Sequence, residues 1–225
     1  MIVYSQSDMT RRQQLAQQTK SALLESALKL FHDRGFDATT VEDITDKAGV
    51  AKGTFYTYFA TKSDIIVEWF WTIDRYYNKY SSANLKRYDT ARDKLLAFTR
   101  AQMRYVRDVV GNMNLKILYA NQAIQPGSEK IIINQKRAWH RIIRDTIQEG
   151  QDNGEFRTDL PAERMAVLFN RSARGVFLDW CISDASYDLA KEGVEFMRDW
   201  IMAALENEPR APGDNASRFP RGRDR

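Results

Sequence analysis

Residues 39–62 read TTVEDITDKAGVAKGTFYTYFATK, and this pattern predicts two short helices joined by a tight turn. Thr40 and Asp43 have the three-residue spacing of a capping box, which starts a helix. The apolar residues that follow fall on one face of the first helix: Val41, Ile44 and Ala48. Gly49 comes next and suits the left-handed end of a helix, because glycine has no Cβ.

The second helix is predicted from about Lys52 to Phe59. Phe55 and Phe59 lie four residues apart and can therefore face inward together. The residues left on or near its outer side are Lys52, Thr54, Tyr56 and Tyr58. Thr61 and Asp64 repeat the capping pattern, which predicts that another helix starts there. Two helices joined by a glycine-containing turn, with polar and aromatic residues facing outward, are typical of a helix-turn-helix DNA-binding motif.

The run AGVAKGTFYTYF at 48–59, followed by TKSD at 61–64, resembles the TetR family of bacterial transcriptional regulators. ALKLF at 27–31 and GFDATTV at 35–41 are similar to that family's first helix and its exit. The resemblance covers about residues 19–66. It implies an all-α fold, in which an N-terminal three-helix helix-turn-helix DNA-binding domain is followed by a helical bundle that binds a ligand and dimerises.

The chain divides into a flexible polar arm at 1–18, a helix-turn-helix DNA-binding domain at 19–64, a helical ligand-binding and dimerisation domain at 65–206 and a disordered basic tail at 207–225. Apolar periodicity and helix breakers predict helices at about 14–34, 41–48, 52–59, 63–80, 91–110, 114–123, 128–151, 161–182 and 187–206. A turn is expected at Gln125-Pro126-Gly127. The fourth helix can enter both domains, which makes it a candidate lever between them.

Composition fits a globular helical protein, because glycine and proline are sparse at 11 and 5 of 225 residues. The net charge of +4 permits nucleic-acid binding without requiring it, since attraction to DNA depends on where the charges lie.

Cys181 is the single cysteine, so no disulfide can form within the chain. We expect a buried structural thiol there, with a redox sensor as the alternative. No stretch has the apolar length of a signal peptide or membrane span, so we expect a cytoplasmic protein with no membrane partner.

The family resemblance implies which residues contact double-stranded DNA. Lys52 and Lys62 are then phosphate partners, and phosphate contacts supply much of the affinity for DNA. The other donors to phosphate are expected to be Tyr56, Tyr58 and Thr40, the last through its amide and hydroxyl at a helix N-terminus. Thr54 and Thr57 are placed to meet base edges, and Gly53 lets the backbone approach the DNA closely.

Each of these assignments has an alternative. Lys52 and Lys62 could be solvated surface residues, and Tyr56 could be a core residue. Val50-Ala51 stands where the family often has a small polar pair, which leaves fewer hydrogen bonds for DNA. Tyr58 stands where the family often has histidine.

The C-terminal part is rich in large aromatic residues, which predicts an apolar ligand pocket. The expected lining residues are Phe98, Gln102, Tyr119, Trp139, Phe169 and Asn170. The alternative for each aromatic residue is an ordinary core position. Asn170 and Arg174, on the predicted eighth helix, could orient a ligand or lie in a dimer interface.

The last two helices look too apolar for free solvent, so we expect them to pair with a second copy as a four-helix bundle. The residues predicted at this homodimer interface are Phe177, Trp180, Met197, Trp200 and Ile201.

Together these features predict a ligand-responsive DNA-binding regulator, expected to be a repressor released from its operator by a small, mostly apolar or aromatic molecule. No enzyme, cofactor or metal is expected. His32 and His140 lack metal-ligand spacing, and no nucleophile elbow or phosphate-binding glycine loop occurs. The alternative is a helical small-molecule-binding protein without operator control. An enzyme built on the aromatic cavity is a third hypothesis.

Overall fold

The computed structural model describes residues 10–124 and 130–206, and these residues form an all-α structure of nine helices. The helices are α1 (Arg11–Arg34), α2 (Val41–Ala48), α3 (Lys52–Tyr58), α4 (Asp64–Asn84), α5 (Ala91–Tyr105), α6 (Asn112–Ile124), α7 (Ala138–Asp152), α8 (Ala162–Ile182) and α9 (residues 189–205). A π-helical turn, Val106–Val110, extends α5, and α9 alternates between α- and π-helical turns. This confirms the predicted fold class.

The ends of α2 follow the sequence prediction closely. The Thr40 hydroxyl oxygen accepts a hydrogen bond from the Asp43 amide at 3.1 Å, and the Thr40 amide donates to the Asp43 carboxylate at 2.8 Å. Gly49 ends the helix in the left-handed conformation, with φ 71° and ψ 33°. Because both signals are local in sequence, they determine where α2 begins and ends without help from the rest of the fold.

Helices α1 to α3 share a small core with the first turn of α4. Its buried side chains are Leu23, Ala27, Phe31, Ile44, Phe55, Phe59, Ile65 and Ile66. On α1, Leu23 is fully buried in this core, whereas Leu24 and Leu28 are partly buried and pack against it.

Helix α4 belongs to both halves of the molecule. Ile65 and Ile66 are buried in the core of the first three helices, whereas Phe70, Ile73 and Tyr77 are buried further along the same helix. The helix also contacts α5, α6 and α7 of the bundle. A displacement of α4 would therefore move the helix-turn-helix relative to the helical bundle.

Two predicted boundaries need correction. Helix α1 begins at Arg11 because Thr10 and Gln13 form a capping box, so residues 10–18 are not a flexible arm. Helix α7 begins at Ala138, ten residues after the predicted start, and Ile131–Ile133 forms a short 3₁₀ turn before it. Arg137 is extended at this start.

The Arg137 side chain donates to the Asp74 carboxylate at 2.8 Å and to the Phe70 carbonyl at 2.7 Å. These α4 contacts hold the backbone where α7 begins. Residues 1–9, the predicted turn at 125–127, the predicted helix start at 128 and the tail at 207–225 lie outside the described residues. In the two ranges that are described, no helix is long and apolar enough to cross a membrane.

Candidate nucleic-acid interface

Helix α3 is anchored from behind by two phenylalanines. Phe55 and Phe59 are both buried, and their ring centroids lie 5.5 Å apart. Lys52, Gly53 and Thr57 are exposed on the other side. The short helix therefore presents a fixed polar face to solvent, as the sequence predicted.

Gly53 lies in the first turn of α3, on this exposed face, and no contact among the described residues requires a glycine there. A Cβ built on Gly53 would meet no atom of the described residues within 4 Å, and its φ is not in the left-handed region. Glycine inside a helix costs about 1 kcal/mol relative to alanine. A partner that approaches the α3 backbone closely would explain why this cost is tolerated.

The remaining polar residues of α3 differ in accessibility. Tyr56 is 53% exposed, and its ring packs against the Phe55 ring in a T-shaped arrangement, with the two ring centroids 5.4 Å apart. Thr57 is exposed, whereas Thr54 is half-buried. Tyr58 is also half-buried and packs against the core, which leaves it less available to DNA than Tyr56.

Lys52 forms an ion pair with Glu42 of α2 on the protein surface. The two side chains are 53% and 56% exposed. The hydrogen bond from Lys52 holds the pKa of Glu42 below its usual value. Exposed ion pairs contribute about 0–1 kcal/mol, so a DNA phosphate can replace Glu42 as the partner of Lys52 at little cost.

Lys62, which was predicted to be a phosphate partner, is engaged with the protein itself. Its ammonium donates to the carbonyl oxygens of Phe36 at 2.6 Å and Thr39 at 2.8 Å, and it lies 4.2 Å from the centroid of the Phe36 ring. Burial lowers the pKa of Lys62. The side chain ties the loop between α1 and α2 to the start of α4, so its charge is already engaged with the protein.

Thr40 is likewise occupied. Its amide and its hydroxyl both donate to the Asp43 carboxylate, at 2.8 and 2.7 Å. These hydrogen bonds, together with an ion pair from Arg34 at 2.7 Å, lower the pKa of Asp43 to about 2. Both donors that the prediction assigned to phosphate are therefore engaged in the helix cap.

The helical bundle encloses a cavity of about 40 Å³. It is lined by Phe70, Ile73, Tyr77, Gln102, Val106, Leu115, Leu118, Tyr119, Ile132, Arg137, Trp139, Arg174 and Phe177. Gln102, Tyr119 and Trp139 were predicted for a ligand pocket from the sequence. The lining residues come from α4 to α8, and Ile132 from the 3₁₀ turn, so no single stretch of sequence could reveal the whole set.

Three other predicted pocket residues do not line this cavity. Phe98 is buried in the core and meets the Tyr77 ring at 5.5 Å, and Phe169 is also buried. Asn170 is buried with its amide nitrogen 2.9 Å from Nδ1 of His140, whose Nε2 lies 2.8 Å from the Glu163 carboxylate. Their aromatic or polar character was compatible with either position, and only the packing distinguishes the two.

The predicted dimer residues also separate into two groups. Phe177, Trp180 and Met197 are buried within the single chain, which corrects their assignment to an exposed interface. Trp200 is 71% exposed, and Ile201 is partly buried. The exposed large apolar residues of the last two helices are Leu168, Leu178, Ile182, Phe196 and Trp200.

Cys181 is buried, and burial raises the pKa of its thiol to about 11. A thiol of that kind carries little thiolate at neutral pH, so it is a poor redox sensor. Among the residues that the structure describes, no group of three or more histidine, cysteine, aspartate or glutamate side chains could hold a metal ion.

The fold and this surface define a class: an all-α helix-turn-helix protein with a helical bundle around an internal cavity. Residues 23–68 match the family model described as "Bacterial regulatory proteins, tetR family". Over these residues the chain matches the TetR family of bacterial regulatory proteins, as the sequence resemblance predicted.

Similar proteins are found over most of the chain. The probable acrEF/envCD operon repressor of Escherichia coli is 24% identical over 206 residues, which cover 86% of this chain and 90% of that protein. The transcriptional repressor KstR2 of Mycolicibacterium smegmatis is 27% identical over 165 residues, covering 72% and 78%. The structure of the TetR-family repressor FadR of Thermus thermophilus with lauroyl-CoA superposes with a TM-score of 0.69 at 21% identity, covering 86% and 99%.

Proposed function

We propose that this protein is a dimeric transcriptional repressor that binds operator DNA through α3 and leaves it when a small molecule enters the cavity of the helical bundle. The observation that carries the proposal is the outer face of α3. There, Lys52, Tyr56 and Thr57 surround Gly53, a glycine that no internal contact explains. Two relatives described above are named as repressors, which supports repression rather than activation.

The proposed DNA contacts follow from accessibility. Lys52 and the Tyr56 hydroxyl bind phosphates, and Thr57 meets base edges with help from the half-buried Thr54. Tyr58 and Lys62 support the motif from the protein side. In the proposed dimer, the α3 helix of each copy occupies one major groove, and the two half-sites lie about 34–36 Å apart. An operator of this kind requires two copies of the chain.

The second copy is proposed to cover the exposed apolar residues of α8 and α9. Ile182 and Trp200 are 74% and 71% exposed, which is unusual for side chains of this size on a protein surface. Pairing the two helices with their copies makes a four-helix bundle. A Trp200→Glu change should therefore convert the dimer to a monomer in sedimentation velocity, whereas Leu15→Glu on α1 should leave the dimer intact.

The proposed coupling passes through α4. Phe70, Ile73 and Tyr77 form the α4 wall of the cavity, and the same helix carries Ile65 and Ile66 into the core of the DNA-binding domain. A ligand that enlarges the cavity would push this wall and change the spacing of the two reading helices. By linkage, operator DNA must weaken ligand binding by the same factor.

The effector is proposed to be largely apolar or aromatic, as the lining suggests. The FadR structure mentioned above was solved with lauroyl-CoA, which supports an apolar body for the effector of this chain as well. Because its target is the chromosome, the protein is proposed to act in the cytoplasm. No catalytic role is proposed.

The test starts with a selection of genomic DNA fragments on the purified protein, followed by fluorescence anisotropy across a salt series. Neutralising one phosphate contact should reduce the slope of log K against log salt by about 0.9. We expect that reduction for Lys52→Gln. The charge-matched control Lys79→Gln, exposed on α4, should bind as the wild type does. A selection that enriches no fragment would reject the proposal and favour a binding protein without operator control.

A further inference from the structure

Arg174 of α8 is a half-buried cation at the wall of an otherwise mostly apolar cavity. Its guanidinium donates one hydrogen bond, to the carbonyl oxygen of Ile132 at 3.3 Å, and lies 5.9 Å from the centroid of the Trp139 ring. Within residues 10–124 and 130–206, it forms no ion pair with a carboxylate. Burial accordingly lowers the pKa of Arg174.

Arg137, the other arginine that lines the cavity, has the ion-pair partner that Arg174 lacks among the described residues. Arg137 is buried, but it forms an ion pair with Asp74 at 2.8 Å and donates to the Phe70 carbonyl at 2.7 Å. A guanidinium has five N–H donors, so Arg174 keeps most of its hydrogen-bonding capacity unused. Burying a charge without an opposite charge is unfavourable, and a ligand anion would remove that penalty.

A second polar side chain of the cavity, Gln102, hydrogen-bonds Tyr77 but leaves its oxygen without a partner among the described residues. Gln102 of α5 is buried and lines the cavity, and its side-chain oxygen accepts no hydrogen bond from any residue that the structure describes. A buried acceptor of this kind is unfavourable unless a donor reaches it. The cavity therefore offers a cation and a hydrogen-bond acceptor between aromatic walls.

The cavity is small in this conformation. Its volume of about 40 Å³ corresponds to about three water molecules, since each needs about 10–15 Å³ measured in this way. Pockets for drug-sized ligands are about 300–1,000 Å³. An organic ligand must therefore push the walls apart, and the α4 wall would move with them.

We propose that Arg174 binds the carboxylate of a small organic acid, that the apolar body of this acid fills the cavity, and that a hydroxyl or N–H group of the acid donates to the Gln102 side-chain oxygen. Guanidinium and carboxylate match as a planar pair with two parallel hydrogen bonds. This inference rests on the proposed function, because it takes the cavity as the effector site.

The test compares each acid with an uncharged copy of itself. The probes are carboxylates with phenyl, 4-hydroxyphenyl, indolyl and C6–C10 alkyl bodies, each paired with its primary amide, and binding is measured by calorimetry. We expect at least one carboxylate to bind the wild type at least tenfold more tightly than its amide. Arg174→Gln should abolish this preference while leaving amide binding unchanged.

Arg171→Gln is the matched control, because Arg171 lies three residues earlier on the same helix and is exposed. It should keep the wild-type preference, and Arg174→Lys should keep part of it. A merely structural role for Arg174 predicts that Arg174→Gln weakens acid and amide alike, which would overturn the inference. Absence of any carboxylate with a Kd below about 1 mM would overturn it as well.

Operator binding separates this inference from the proposed function. If the wild type and Arg174→Gln bind the selected DNA equally well but no acid preference exists, the ligand class is wrong and the regulator stands. If the wild type prefers acids but binds no specific DNA, the ligand class stands and the proposed function is wrong.

Discussion

Replacing Lys62 by methionine should destabilise the DNA-binding domain without removing a phosphate contact. Methionine keeps most of the apolar stem but loses the hydrogen bonds to the Phe36 and Thr39 carbonyls, at 2.6 and 2.8 Å. Hydrogen bonds from a charged group contribute about 1.5–3 kcal/mol each. The Lys62 side chain is only half-buried, so water can replace part of what is lost. We therefore expect the free energy of unfolding to fall by about 2 kcal/mol.

Urea unfolding at fixed protein concentration measures this loss, and the salt dependence of operator binding is measured where the variant is fully folded. Lys62→Met should leave the salt slope within about 0.3 of the wild-type value, whereas Lys52→Gln should reduce the slope by about 0.9 and leave stability unchanged. The opposite pattern, a stable Lys62→Met with a slope reduced by about 0.9, would refute the assignment of Lys62 as an internal tie.

Three further predictions concern the same domain. Gly53→Ala should raise stability by up to about 1 kcal/mol but weaken operator binding at least tenfold; thermal unfolding and anisotropy measure the two effects, and unchanged DNA affinity would contradict close approach at this site. Glu42→Gln should increase operator affinity about two- to fivefold, because it removes an ion pair that contributes about 0–1 kcal/mol and competes with phosphate for Lys52; weaker binding would show that Glu42 positions Lys52 instead. The folded-state pKa of Asp43 is about 2, below its ordinary value of 3.8, so its contribution to stability is present above about pH 4 and is lost as the pH falls towards 2. The unfolding midpoint of Asp43→Asn should therefore be lower than that of the wild type at pH 7 and fall less between pH 4 and 2, and parallel pH profiles would contradict the lowered pKa.

Much of the DNA-binding domain could be predicted because its signals are local. The Thr40–Asp43 cap, the left-handed Gly49 and the spacing of Phe55 and Phe59 involve residues at most four apart, so the sequence itself determines these contacts. The contacts of Lys62 could not be predicted in this way. Its partners are backbone carbonyl groups more than twenty residues away. Every residue has a backbone carbonyl, so the sequence does not indicate which ones will accept a hydrogen bond from Lys62.

The helical bundle depended more on tertiary packing. The predicted start of α7 was wrong. Arg137 lies just before the observed start, and it is held there by a hydrogen bond to Asp74, 63 residues earlier in the chain. Phe177 and Trp200 were both predicted at the dimer interface. Phe177 lines the cavity, whereas Trp200 is exposed. Hydrophobicity predicts that such side chains are buried somewhere, but not whether they are buried in their own chain or against a copy.

The sequence by itself determined most of the helices, the outward polar face of α3 and the family resemblance, because caps, periodicity and a short motif act over a few residues. Only the tertiary structure decided which polar groups are already engaged. It joins Lys62 to two carbonyl groups, and it leaves Arg174 in the cavity wall with no carboxylate among the residues described. The physical reason is that a charged residue looks the same in the sequence whether or not its side chain is paired. Its role depends on which groups the fold places within hydrogen-bonding distance.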